Sequence, residues 1–453
     1  MLYVSRDWKD GTYDVTDTSD GVVERVSQLE INGYIRQGVR IEGVSRSGKV
    51  TSIIKDIKTL IARTHLRERL SGLPLTRSFN FGRYSVGLPD GYRSLVNESN
   101  EFVYGLFNVE ICEEFTIPDF IEEICQNCFC STRLKHIDIP ASVKAIGEYA
   151  FSGVNTLESV RFNGDIKIGD SAFKDCKRLS NFEGMENVVS LGSSALNATA
   201  IKKFESSPNL ATVYDSCFYG TPLVEASFKH PVAFYGGATF MYCNQLRKAD
   251  ISGTTELILG ETFYGCSKLE DVVLPDGLET LGASSFSLCS SLRKIEIPST
   301  VTLIGAKAFI KCAVLEEIRL PEAVEYIYDS AFEDCTSLTK VDLGGVVSID
   351  VCSFQGCSNL SDIDLSGVRV FKFGAFSACT SLEEVHLDSA ERIGDRAFND
   401  CLSLRVVHMP TEKLTLVDKD AFCGCDNLEA VYVTKGSTED LYCRAIGLPV
   451  VYR

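Results

Sequence analysis

The chain has 453 residues, of which 45% are hydrophobic and 24% are charged, and its net charge is −17. This composition excludes wholesale disorder, collagen-like sequence and a small disulfide-bonded scaffold. No uncharged apolar stretch reaches about 18 residues, so no membrane span is predicted.

Charge and cysteine divide the chain into two parts. Residues 1–110 hold 15 Lys/Arg and 14 Asp/Glu, whereas residues 111–453 hold 30 and 48, and all 18 cysteines lie at or beyond Cys112. We therefore expect a small N-terminal α/β domain or cap over 1–110 and a separate acidic unit after it. The acidic unit disfavours binding to nucleic acid and to anionic membranes.

The N-terminal part shows short, mixed elements. Residues 17–29 are typical of a capped short helix, residues 38–44 of a strand, and residues 51–70 of a helix with near-helical apolar spacing that ends at Gly72. Residues 36–69 contain nine Lys/Arg against three Asp/Glu. A solvated basic helix surface explains this better than a nucleic-acid site, because no aromatic interleaving or known binding motif accompanies it.

One N-terminal motif partly matches a phosphate-binding loop. Gly43–Lys49 fits the spacing G-x-x-x-x-G-K between a predicted strand and a predicted helix. Val50 stands where Ser or Thr should hold Mg²⁺, with Thr51 one place late, and no apolar strand ending in Asp follows to supply the other metal contact. A Gly/Ser turn is the favoured interpretation, and a nucleotide-binding switch with a solenoid sensor is the alternative.

From residue 129 onward a phenylalanine, replaced once by a leucine, recurs every 22 to 24 residues, which indicates a repeat architecture. We call these positions the anchors. They are Phe129, Phe151, Phe173, Leu196, Phe218, Phe240, Phe263, Phe286, Phe309, Phe332, Phe354, Phe376, Phe398 and Phe422.

The unit that ends at anchor Phe309 shows the pattern of the repeat. Leu292–Ile297 is a short alternating strand, Pro298 ends it, and Ala308–Phe309 is predicted to begin a helical or 3₁₀ turn. Gly lies four residues before the anchor in seven units, as at Gly305, and is expected to make a sharp turn without a side-chain penalty. Irregular units at Leu196 and Phe218 predict a bend or bulge.

A single unit cannot bury its own apolar face, so fourteen units must stack into one continuous core. The sequence therefore predicts an α/β repeat fold, a right-handed solenoid of about fourteen units with a parallel strand ladder, on the order of 65 Å long at ~4.8 Å per layer.

The run Ile295–Cys312 resembles the leucine-rich repeat of the BspA-like (treponemal) class, and the resemblance covers residues 111–434. It implies a leucine-rich-repeat solenoid that serves as a non-enzymatic recognition scaffold, often as an adhesive surface protein of microbes. The residues alone do not indicate adhesion. After the solenoid, residues 435–453 predict a closing helix over 437–446 and a strand over 450–452.

Ten of the 18 cysteines lie three residues after an anchor, as Cys312 does. This register predicts a buried column of free thiols, since unpaired Cys behaves as a small hydrophobe. A C-x-x-C at Cys125 and Cys128, with Cys130 beside it, raises the alternative of a metal or redox site. No second pair with zinc-ribbon spacing follows, so packing is the favoured interpretation.

Alternate residues of each strand should point away from the core and form exposed columns along the stack. We expect a protein partner with a basic patch to dock on this acidic face, although a plain solvated surface is the simpler alternative. The candidate contact residues, here called the patch, are Asp342, Asp362, Asp364, Glu384, His386 and His408.

His386 and His408 should be adjacent on this face beside Asp364, and two imidazoles with a carboxylate are a possible ligand set for a divalent ion. Solvated histidines are the favoured interpretation, so no metal or cofactor is predicted. No Ser/His/Asp arrangement or paired-carboxylate motif argues for catalysis. A start without a secretory apolar core, together with many thiols, predicts a cytoplasmic protein, with export by a non-standard route to the cell surface as the alternative.

Overall fold

The computed structural model describes the solenoid almost completely and the N-terminal part in pieces. The described residues are 2–8, 10, 12–17, 23–27, 31, 41–42, 92–96, 102–106, 113–117, 119, 121–130, 132–254, 257–411 and 414–453. The predicted loop at Gly43–Lys49 and the predicted helix over 51–70 lie outside them.

The secondary-structure elements of the described residues are mainly strands. In chain order they are β1 Leu2–Trp8, β2 Thr12–Asp17, β3 Val23–Ser27, β4 Ile41–Glu42, β5 Tyr92–Val96, β6 Phe102–Leu106, β7 Glu123–Ile124, β8 His136–Ile139, β9 Ala145–Ile146, β10 Ser159–Phe162, β11 Ile166–Ile168, β12 Asn181–Glu183, β13 Val188–Leu191, β14 Lys203–Glu205, β15 Thr212–Tyr214, β16 Glu225–Ser227 and β17 Ala233–Tyr235. The second half continues with β18 Lys248–Asp250, β19 Leu257–Ile258, β20 Asp271–Val273, β21 Thr280–Leu281, β22 Leu303–Ile304, β23 Glu317–Arg319, β24 Tyr326–Ile327, β25 Lys340–Asp342, β26 Ser348–Ile349, β27 Asp362–Ile363, β28 Val370–Phe371, β29 Glu384–His386, β30 Arg392–Ile393, β31 Val406–His408, β32 Leu416–Val417, β33 Ala430–Val433 and β34 Val450–Tyr452.

The N-terminal strands form an antiparallel meander, with β4 added parallel to β1. The helix predicted over 17–29 is wrong, because β3 pairs with β2 and Val23 lies opposite Thr16. Val15 and Val26 are both buried. The β-branched valines pack better on a pleated surface than in a helix, and this preference outweighs the capping signal at the start of the segment.

The repeats form a parallel-strand solenoid, which confirms the predicted leucine-rich-repeat fold. Each coil contributes to two strand ladders rather than to one. The display ladder contains β8, β10, β12, β14, β16, β18, β20, β23, β25, β27, β29, β31 and β33, and the second ladder contains β7, β9, β11, β13, β15, β17, β19, β21, β22, β24, β26, β28, β30 and β32. Most strands of the second ladder are only two or three residues long. Such strands are too short to show an alternating pattern in the sequence.

The anchors form the central axis of the core. All fourteen are at most 5% exposed. From Phe263 to Phe422 successive rings stack with centroids 5.1–5.4 Å apart and planes within 16° of each other. Backbone bonds hold the same register, since the Phe309 N–H donates to the carbonyl of Ala331 in the next coil at 2.8 Å.

The cysteine column is buried beside the anchors and has a polar role that the sequence did not indicate. Each of its ten thiols donates to the carbonyl of the anchor in the preceding coil, as Cys312 Sγ does to Phe286 O at 3.2 Å. Burial raises the pKa of Cys312 to about 12, so the thiol remains protonated and able to donate. Thr replaces Cys in three other units, where its hydroxyl bonds to the anchor carbonyl of its own coil.

The segments around the anchors are successive single turns whose hydrogen bonds have the three-residue separation of the predicted 3₁₀ alternative, and they do not continue into a helix. Ala308 N–H bonds to Gly305 O and Cys312 N–H bonds to Phe309 O, both with a three-residue separation. Positive φ occurs two residues before and after the anchor, at Lys307 (59°) and Lys311 (60°). The explanation of the repeated glycine as a sharp turn is wrong for Gly147: its φ is not positive, but an added Cβ would lie 2.7 Å from Gln126 N in the preceding coil.

The irregularity predicted near Leu196 lies in the strand before that anchor. The pairing of β11 with β13 shifts register between Ile166 and Lys167, which leaves Val189 as an extra residue in the ladder. The segment Ala211–Tyr214, which looks irregular in the sequence, contains β15 in ordinary parallel pairing with β13 and β17.

Both ends of the solenoid are covered. The β5–β6 hairpin pairs through β6 with β7, so strand pairing crosses residue 110. At the other end, α1 (Thr438–Ala445) and β34 follow β33, and Ser437 caps α1 by accepting from Asp440 N–H. Within the described part of the chain, no helix combines the length and the apolar character needed to cross a bilayer.

Candidate binding site on the strand face

The display ladder presents alternate side chains to solvent. In β25 and β29 the two outer residues are exposed and the central valine is buried. Because the strands pair in parallel without offset, residues of the same register lie next to each other on successive coils. The patch residues therefore lie along a single surface over four consecutive coils.

Lateral ion pairs between neighbouring coils run along this surface. In most of them a Lys or Arg contacts an acidic residue 22 to 24 positions later, in the next coil. The exposed pair of Arg293 Nη1 with Glu316 Oε1, at 2.8 Å, is an example. The 22- to 24-residue spacing between a basic and an acidic residue is visible in the sequence and is the signal that indicates these pairs.

Two acidic residues of the patch belong to this system. Asp342 Oδ2 lies 3.3 Å from Arg319 Nε, and Asp362 Oδ2 lies 2.7 Å from Lys340 Nζ. Hydrogen bonding to Asp362 raises the pKa of Lys340. The charge of each of these two carboxylates is therefore already compensated by a cation of the preceding coil.

The other two carboxylates lack such compensation. Asp364 is exposed and accepts from the Ser366 backbone N–H at 2.9 Å. Its pKa is lowered, first by the Ser366 side chain, then by that N–H and by His386. Glu384 is half-exposed, and its Oε1 lies 2.7 Å from His408 Nε2 and 3.4 Å from His386 Nε2. Among the ion pairs of the described residues, neither carboxylate has a Lys or Arg partner.

A stack of three rings lies beside these carboxylates. His386 and His408 are direct partners in the pairing of β29 with β31, with centroids 4.2 Å apart and planes within 3°. Tyr432 continues the stack at 4.8 Å from His408. The adjacency of the two histidines follows the sequence register. Tyr432 has the same register and was not among the candidate residues, although its position in the repeat was the available signal.

The cysteines of the C-x-x-C motif were the other candidates for a metal or redox site. Cys125 and Cys128 are buried and Cys130 is exposed. Burial, followed by the nearby Glu123, raises the pKa of Cys125 strongly. Since a metal or a redox partner requires the thiolate, this environment disfavours either chemistry.

A family model described as "BspA type Leucine rich repeat region" matches residues 102–225, 233–361 and 347–441 in six copies. The chain belongs to the BspA-type leucine-rich repeat family. The match includes every patch residue and begins within the hairpin that covers the N-terminal end of the BspA-type solenoid. A search of curated protein sequences gives no significant match.

One solved structure supports the same fold, and a second is reported beside it. A leucine-rich repeat protein from Bacteroides ovatus is 24% identical, with a TM-score of 0.68, and the alignment covers 83% of this chain and 100% of that one. A leucine-rich cell surface protein from Faecalibacterium prausnitzii is 21% identical, covering 83% and 98% of the two chains with a TM-score of 0.39. At these identities the likeness concerns the BspA-type fold and not the binding partner.

Proposed function

We propose that this BspA-type solenoid is a non-enzymatic scaffold that binds a protein partner through the C-terminal half of its display ladder. The observation that carries the proposal is the contrast within the patch. Asp364 and Glu384 have no Lys or Arg partner among the ion pairs of the described residues, whereas Asp342 and Asp362 each pair with a cation of the preceding coil. Asp342 and Asp362 are compensated and lie at the edge of the contact.

The chemistry of the patch favours a partner with exposed Lys or Arg. A basic side chain can pair with Asp364 or Glu384 while its apolar stem lies against the rings of His386, His408 and Tyr432. The backbone segments that carry the three rings are held in register by strand pairing. Little backbone conformational entropy is therefore lost when a partner binds.

The test compares capture of partners from the native host by the wild-type protein and by the variant Asp364→Asn/Glu384→Gln. We expect the variant to lose most of the specific partner, because these two carboxylates supply the uncompensated charge. Recovery by the wild type should also fall as salt is raised, since exposed charge pairs are screened.

The matched control is Glu270→Gln/Asp271→Asn, which removes two carboxylates from the same ladder at a place where both have cationic partners. The control should retain the partner. Equal recovery of the partner by all three proteins would show that the patch does not bind it. Equal loss of the partner in both variants would indicate a general effect of net charge.

Family membership also supports adhesion at a cell surface as a second function. Fractionation of native cells distinguishes the two: a cytosolic pool favours an internal scaffold, and a surface pool favours adhesion. The proposed nucleotide switch at Gly43–Lys49 is tested by titrating ATP or GTP into the full chain, where binding that is lost in Lys49→Ala would support it.

A further inference from the structure

Three potential metal ligands converge on the display ladder. One ligand atom from each of Glu384, His386 and His408 lies within 4.8 Å of the other two, and the described residues contain a single group of this kind. The sequence register places Asp364 beside the two histidines, whereas in the structure Glu384 supplies the carboxylate of this group.

The fold itself brings these groups together. His386 and His408 occupy the same register of paired strands, so their imidazoles must be neighbours. Glu384 lies two residues before His386 and projects from the same side of the strand. Its Oε1 lies near the Nε2 edges of both rings, 2.7 Å from His408 Nε2 and 3.4 Å from His386 Nε2.

We propose that Glu384, His386 and His408 form a binding site for a divalent transition metal ion such as Zn²⁺. Two imidazole nitrogens and one carboxylate oxygen suit zinc and related first-row metals, whereas Mg²⁺ and Ca²⁺ prefer oxygen ligands throughout. Glu384 and His386 are half-exposed, so a fourth position faces solvent. A water molecule or a side chain of a partner can occupy it.

Metal binding requires a small movement of the rings. The two imidazoles are nearly parallel, so their Nε2 lone pairs must tilt toward a common point. The half-exposed side chain of His386 has the freedom to do so. Its other nitrogen, Nδ1, lies 3.8 Å from Asp388 Oδ2, a carboxylate that can orient the ring in the way common for metal-bound histidines.

The test is titration of Zn²⁺ into the isolated full-length protein by calorimetry. Exposed thiols, including Cys130 and Cys423, are first alkylated under native conditions so that they do not bind the metal. We expect one equivalent to bind to the wild type. Binding should weaken by more than about 10-fold in His386→Ala/His408→Ala, and by about 10-fold in Glu384→Gln.

The control is His136→Ala, which removes an exposed histidine from the same ladder, where it contacts Ser159 Oγ at 2.7 Å, and should leave the affinity unchanged. Circular dichroism and a urea midpoint verify that each variant is folded. The same affinity and stoichiometry in the wild type and in the double histidine variant would overturn the proposal. Because no partner is present, that result would leave the docking function untouched.

Discussion

Two regions of the solenoid achieve a continuous core by different means. Between Phe263 and Phe422 the anchors are all phenylalanine and stack face to face, with a cysteine beside each of them. Around Leu196 the stack is interrupted. Additional rings enter there from outside the anchor register, with Phe204 and Phe228 packing against Phe218 at 4.7 and 6.2 Å.

The difference shows that rings outside the anchor register also contribute to the core in the region where the anchor is smaller. In the strand that follows the smaller Leu196, Phe204 occupies the central position where regular units carry Ile or Val, such as Ile318. The residue three places after the anchor also varies in identity, while Cys and Thr at this position both keep a hydrogen bond to an anchor carbonyl. Thr221 and Cys243 both hydrogen-bond to the Phe218 carbonyl, one from its own coil and one from the next.

The largest effect is expected from loss of a ring in the regular region. Phe309→Ala should lower the free energy of unfolding by about 3–5 kcal/mol, because the rings of Phe286 and Phe332 stack on both sides and cannot close the cavity. Urea denaturation followed by circular dichroism measures the change. A loss below about 1 kcal/mol would show that the stack is not tightly packed.

A smaller loss of stability is expected when the exceptional anchor Leu196 is replaced by the phenylalanine found at the other anchors. Leu196→Phe restores the consensus, yet it should destabilise the protein by about 1–3 kcal/mol because Phe204 already contributes a ring to this layer of the core. The same urea measurement applies. An increase in stability would mean that Leu196 is merely a weak anchor and that the neighbouring rings do not compensate for it.

The smallest effect concerns the thiol hydrogen bonds. Cys312→Val keeps a small apolar side chain but removes the bond to Phe286 O, and should cost about 0.5–1.5 kcal/mol. Val154 occupies the equivalent position in its own unit, so the shape is tolerated by the fold. The reverse change, Val154→Cys, is the matched comparison and should be neutral or stabilising. Destabilisation by Val154→Cys would contradict a favourable thiol bond.

The solenoid could be predicted from the sequence because its decisive signal is carried by large side chains at a fixed period. The second ladder could not, since a strand such as Leu303–Ile304 contains one buried residue and no alternation. The residues with positive φ could not be predicted for another reason. They include Lys307 and Ser330, and neither lysine nor serine indicates positive φ in a sequence.

The sequence predicted which patch residues are neighbours, but not which of their charges are paired. The repeat register correctly placed His386 beside His408. It did not show that Asp362 is neutralised by Lys340 while Glu384 turns toward the histidines, because side-chain direction decides between these contacts. The N-terminal hairpin was missed because a capping pattern competed with β-branched residues in the segment that became β3.

Alkylation of cysteines in the native protein tests the central claim most directly, namely that all fourteen units close one continuous core. Iodoacetamide labelling followed by peptide mass spectrometry should modify the exposed Cys130 and Cys423 rapidly. The ten column cysteines should react only after unfolding, because they are buried. Labelling of Cys312 or Cys335 in the folded protein at the rate of Cys423 would contradict the stacked solenoid and the binding face built on it.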